Sequence, residues 1–65
     1  MRRYLEFADT LEEITKDVSK HFEEPITLLE ERENVYRVIG AVRKEFYTYR
    51  VVRHYDRWCL KYIGY

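Results

Sequence analysis

From Val35 to Tyr65 the chain alternates apolar and aromatic residues with polar ones at a period of two, the signature of half-buried β-strands. Three strands are expected, over Val35–Val42, Glu45–His54 and Arg57–Gly64. With Arg43-Lys44 and Tyr55-Asp56 as two-residue turns, Tyr36, Val38, Gly40 and Val42 share a face with Tyr47, Tyr49, Val51 and Arg53, and with Trp58, Leu60 and Tyr62. This is the more aromatic and apolar face, and it is assigned to the core. Because the side-chain period is two, a slip of one residue at either turn would put a whole strand on the wrong face.

The opposite face then reads as four cross-strand rows: Val35, Val52 and Cys59; Arg37, Arg50 and Lys61; Ile39, Thr48 and Ile63; Ala41, Phe46 and Tyr65. Three cations side by side repel one another, and apolar rows flank them on both sides. A face meant only for water does not need that arrangement.

Arg2–Phe7 alternates in the same way and predicts a short edge strand, with a helix starting at Arg2 as its rival. Capping decides between them. Thr10-Leu11-Glu12-Glu13 is a capping box, so the helix is expected from Leu11 to Phe22, with Leu11, Ile14, Val18 and Phe22 as its apolar stripe. Glu12, Glu13, Lys16, Asp17 and Lys20 face water, and Pro25 ends the helix. Ile26–Arg32 is a further strand, turning at Glu33-Asn34 into Val35. The order is β-α-β-β-β-β, an α+β fold with one helix packed on a four- to five-stranded, mainly antiparallel sheet.

Sixty-five residues make one small domain with a modest core. The single cysteine excludes an intramolecular disulfide and any cysteine-based zinc site, and suits a reducing cytoplasm. No apolar run approaches the roughly 20 residues of a membrane span, and the first residues carry two arginines without the apolar core of a signal peptide. Charged residues are 37% of the chain and glutamine is absent, a composition pointing to a hot environment. The net charge of zero hides an asymmetry: residues 1–25 carry four cations and seven anions, whereas residues 35–65 carry seven and two. That imbalance fits a polyanion partner, and equally an acidic helix paired with its own basic sheet.

Little in the sequence carries catalytic chemistry. His21 and His54 have no second ligand at metal spacing, Ser19 has no nearby base, and the adjacent pairs Glu12-Glu13, Glu23-Glu24 and Glu30-Glu31 diverge and are read as solvated. No cofactor, metal or catalytic residue is assigned. The remaining chemistry is binding. Arg37, Ile39, Phe46, Thr48, Arg50, Val52, Cys59, Lys61, Ile63 and Tyr65 form the candidate face. Its apolar members suggest a homodimer or another protein partner, and a non-enzymatic interaction module. Its cations and aromatics suggest, as the alternative, single-stranded RNA or DNA. A metal-independent ribonuclease using Arg50, Arg53, His54, Tyr55 and Lys61 is the remote reading. Trp58 is expected in the core.

Overall fold

A computed structural model describes residues 4–63. Its elements are β1 (Tyr4–Ala8), α1 (Leu11–Phe22), β2 (Ile26–Arg32), β3 (Val35–Gly40), β4 (Phe46–His54) and β5 (Arg57–Tyr62). All five strands form one antiparallel sheet in the order β1-β5-β4-β3-β2, with α1 packed on one side. The α+β architecture expected from the sequence is therefore the one observed. Arg2 and Arg3, expected at the start of the first strand, lie outside the described residues, as does Tyr65.

The topology explains the helix. β1 and β2 are consecutive strands, yet they occupy opposite edges of the sheet. The connection must cross four strand spacings, about 19 Å. Twelve helical residues rise about 18 Å, so α1 has the length of the gap it crosses. Its start is fixed by the expected box: the Thr10 hydroxyl oxygen accepts from the Glu13 N–H at 3.1 Å. Its end is a Schellman motif. Glu23 takes the left-handed conformation (φ 58°), its N–H donates to the Lys20 carbonyl, and the Glu24 N–H donates to the Ser19 carbonyl. The Ser19 hydroxyl then accepts from the Ile26 N–H at 3.3 Å, tying the helix to the start of β2.

Ile14 and Val18 on the helix, with Val38, Val51 and Leu60 on the sheet, are wholly enclosed, and Ala8 and Ile26 join them. Phe22 carries the helix stripe into an aromatic layer. It stacks on Tyr47 (ring centroids 4.0 Å apart) and meets Tyr49 edge-on at 5.1 Å, and Tyr49 in turn meets Tyr62 at 5.1 Å. Trp58 packs on the core beside Tyr36 at 5.7 Å but is half-buried rather than enclosed.

The hairpin between β3 and β4 departs from expectation. Arg43-Lys44 is not a two-residue turn. β3 ends at Gly40, whose N–H donates to the Glu45 carbonyl at 2.9 Å and whose carbonyl accepts from Lys44 at 2.7 Å. Val42, assigned to the core, is 70% exposed in this loop. The register shifts to match. Arg37 pairs with Arg50, but Ile39 pairs with Phe46, so the single residue Val38 faces Tyr47, Thr48 and Tyr49 together. The bulge therefore adds two residues to β4. Two is an even number, so the side chains of β3 and β4 that stay in the ladder keep their expected faces although their partners change.

Candidate interaction face

One side of the sheet carries the helix and the other carries no layer among the described residues. Two of the expected rows are present on that open side. Val35 pairs with Val52 and Val52 with Cys59; Arg37 pairs with Arg50 and Arg50 with Lys61. The other two rows are not formed as expected. Ile39 lies beside Phe46, and Thr48 falls in the bulge, its carbonyl accepting from the Ile63 N–H at 3.2 Å. Ala41 is in the loop and Tyr65 is outside the described residues. Arg37, Ile39, Phe46, Thr48, Arg50, Val52, Cys59, Lys61 and Ile63 nevertheless share one face.

The cations of the central row are not equivalent. Arg50 is largely covered. Its Nε donates to Glu31 at 2.8 Å and its terminal nitrogen to the Tyr49 carbonyl at 3.0 Å. The Arg37 guanidinium lies 3.7 Å from the centre of the Phe46 ring, a cation–π stack, and its buried Nε has no hydrogen-bond acceptor. Lys61 is exposed and has no carboxylate within ion-pair distance among the described residues. Mutual repulsion along the row is thus relieved by three different devices: a carboxylate, an aromatic ring and water.

Around this row the surface is apolar. Phe7, Leu29, Phe46 and Ile63 remain between 38% and 52% exposed, and Val35, Ile39 and Val52 are half-buried. Leu29 and Phe7 join the face through their pairing with Arg37 and Cys59, on the two edge strands. Sequence reasoning missed both: the facing of Ile26–Arg32 is ambiguous from its own pattern, and that of β1 is fixed only by its pairing with β5. Leu5 is also exposed, at the β1 bulge. Cys59 is a buried strand thiol, the ordinary state of a lone cysteine in such a position. It lies on the open side but is enclosed between its cross-strand neighbours Phe7 and Val52, its thiol directed at the Val52 carbonyl 3.6 Å away. Burial pushes this thiol above its ordinary pKa, which keeps it protonated and a poor nucleophile in the folded state.

The five residues considered for phosphodiester chemistry do not converge. Arg50 and Lys61 are on the open face. Arg53 is on the helix side of β4, its guanidinium 5.8 Å from the Trp58 ring. Tyr55 is the exposed turn residue, with φ 62°, its ring 4.6 Å from that of His54. No cluster of three His, Cys, Asp or Glu suited to a metal ion occurs among the described residues. A surface depression of about 440 Å³ lies between α1 and the β1–β5 edge, where Asp9, Glu13 and Asp17 stand beside Lys16, Lys20 and Arg57.

A second correction concerns Glu24, read as solvated. Its side chain is 8% exposed. The carboxylate accepts from the Tyr47 hydroxyl and from the Val42 and Arg43 N–H groups (3.2 and 3.4 Å), and the Arg43 Nε is 3.7 Å away. Glu24 is the clamp that shapes the β3–β4 loop. No helix of the described chain is long and apolar enough to cross a membrane. No family model, curated protein or solved structure matches the chain.

Proposed function

We propose that this chain is a non-enzymatic interaction module that self-associates through its open sheet face. The observation that carries the reading is that Phe7, Leu29, Phe46 and Ile63 remain exposed around the central cationic row, on a face with no covering layer among the described residues. Apolar side chains exposed on an uncovered sheet face favour association, because burying them recovers about 25 cal/mol per Å². The fold measures 31 × 27 × 21 Å, so one sheet face is of the order of the roughly 800 Å² per partner of a standard interface. A free, enclosed Cys59 needs no oxidising compartment, which supports a cytoplasmic location.

Sedimentation equilibrium tests the reading. A dimer is expected at micromolar concentration, and Leu29→Asp, on an exposed edge position, should give monomers with an unchanged circular dichroism spectrum. A monomer at high micromolar concentration overturns it. The Arg37–Arg50–Lys61 row supports a second reading, single-stranded nucleic acid on an exposed Phe46. With Arg50 engaged by Glu31, two cations remain for phosphates, and the slope of log affinity against log salt would be about −1.4. A monomer that binds an oligonucleotide with that slope would replace self-association by this reading.

A further inference from the structure

We infer that the free edge of β2 pairs, antiparallel and centred on Leu29, with the same edge of a second copy, joining two sheets into one. The contact is separate from the open-face association proposed above and leaves that face uncovered. It follows from which backbone groups of β2 point outward. The Gly40 N–H and carbonyl are bonded to Glu45 and Lys44, on the β4 side, while the Ala41 N–H donates to the Pro25 carbonyl at 2.9 Å. Ile26, paired with Gly40, therefore stands in a non-hydrogen-bonded pair. Along the regular register from Ile26 to Glu30, Thr27 and Leu29 then bond to β3, and Ile26, Leu28 and Glu30 turn their N–H and carbonyl groups away from it. Ile26 bears out the alternation, since its N–H donates to the Ser19 hydroxyl. β2 is an edge strand, so the groups of Leu28 and Glu30 face no strand among the described residues. They are a template for one more. The other edge is poorer: β1 has five residues and a register break between Tyr4 and Glu6.

A second copy fits this template in one register. Antiparallel neighbours match outward residue with outward residue, so a two-fold axis perpendicular to the sheet passes through a residue position of β2. Centred on Leu28 or any earlier residue, the ladder would need the Ile26 N–H, which Ser19 already holds. Centred on Glu30, it would set that carboxylate against its twin, and like charges directly opposite are destabilising. Beyond Glu30 the bulge ends the regular strand. Centred on Leu29, Leu28 exchanges both backbone bonds with the partner's Glu30, and Glu30 with the partner's Leu28, with no like charges directly opposed. Leu29, 52% exposed on the open side, then meets its own twin in a close non-hydrogen-bonded pair. Antiparallel order also sends the two helix C-termini, each tied to its own Ile26, to opposite ends of the junction.

Amide hydrogen exchange on the full chain, read residue by residue at low and at high protein concentration, tests the contact without a mutation. The outward Leu28 and Glu30 amides should exchange at least tenfold more slowly at high concentration, and concentration-independent exchange at both overturns the pairing. Phe46→Asp places a carboxylate on the open face, away from β2. Protection that survives it supports the edge contact, whereas protection lost with it comes from the open face and overturns the edge. A parent that sediments as a dimer with unprotected Leu28 and Glu30 amides likewise overturns the edge and leaves the open-face reading standing. A second comparison reads the backbone bond itself. Glu30→Pro removes an outward donor and spares the ladder to β3, whereas Glu30→Ala keeps the donor and loses only the charge. In the Phe46→Asp background, Glu30→Pro should dimerise at least tenfold more weakly than Glu30→Ala, and equal affinities overturn the pairing. The exchange measurement decides the matter whether or not the proline variant folds.

Discussion

The carboxylate of Glu24 occupies the space that a side chain at Gly40 would need. A Cβ built on Gly40 would stand 2.6 Å from Glu24 Oε2 and 2.8 Å from Oε1. Gly40 is thus required by a neighbour and not by its own backbone, since its φ is not in the left-handed region. Gly40→Ala should cost about 1–3 kcal/mol, the usual range for overpacking, because the carboxylate cannot withdraw without releasing its donors. In a Glu24→Ala background the same change should cost much less. A double-mutant cycle by denaturant unfolding measures this coupling. Additive costs would mean that the two residues do not compete for the space.

Acid should release the β3–β4 loop. The Tyr47 hydroxyl, then the Arg43 and Val42 N–H groups and the Arg43 charge, hold the Glu24 carboxyl below its ordinary pKa against the opposing effect of burial. A depressed folded-state pKa contributes stability that is complete above the unfolded value, about 4.3, and is lost as pH falls through the folded value. The same bond raises the Tyr47 hydroxyl, so its contribution is complete below about pH 10 and is lost as pH rises beyond that. Stability should therefore fall off on both sides, with Tyr47→Phe flattening both limbs while keeping the stack on Phe22. Unfolding midpoints from pH 2 to 11 check this, and identical profiles for parent and variant would refute it.

The helix C-terminus should accept glycine with a gain. Glu23 holds φ 58° and ψ 36° without a glycine's freedom. Glu23→Gly should stabilise by about 1 kcal/mol, the order of the left-handed penalty, or several degrees in Tm. A loss in a thermal melt would show that the Glu23 side chain contributes more than its backbone costs.

Cys59 should react with thiol reagents only through an opening of the fold. Its enclosure and raised pKa keep it a protonated thiol without access to solvent. Labelling by an aromatic disulfide is expected to be slow in buffer and immediate in denaturant. Native-state labelling at the rate of a small free thiol would contradict the position given to β1 over it.

The helix and the facing of β3, β4 and β5 were legible because they rest on periodic patterns, reinforced for the helix by the Thr10–Glu13 box. The β3–β4 hairpin was not. Neither Arg43-Lys44 nor its neighbours carry the Asn-Gly chemistry that fixes a tight turn, and the bulge opposite Val38 leaves no mark on the apolar pattern, since an even shift preserves it. Glu24 was hidden for a related reason. Side by side in sequence, Glu23 and Glu24 look equivalent, but the Schellman turn separates them, one to solvent and the other to the loop. Leu29 and Phe7 joined the open face only once strand pairing fixed which way β1 and β2 point.

The strand order also dictates how the molecule comes apart. Three of the four strand pairings join consecutive elements, β2 to β3, β3 to β4 and β4 to β5. β1 alone pairs across the chain, Tyr4 with Lys61 at 57 positions' separation. A contact of that span carries the largest loop-closure entropy in the fold, for a strand of five residues at an edge. Detachment of β1 is then the lowest-energy opening, and it would uncover Cys59 and Leu60 while the β2–β5 meander stays folded. In hydrogen exchange the β1 amides should exchange ahead of those of β4, and Cys59 labelling should keep pace with β1 rather than with global unfolding.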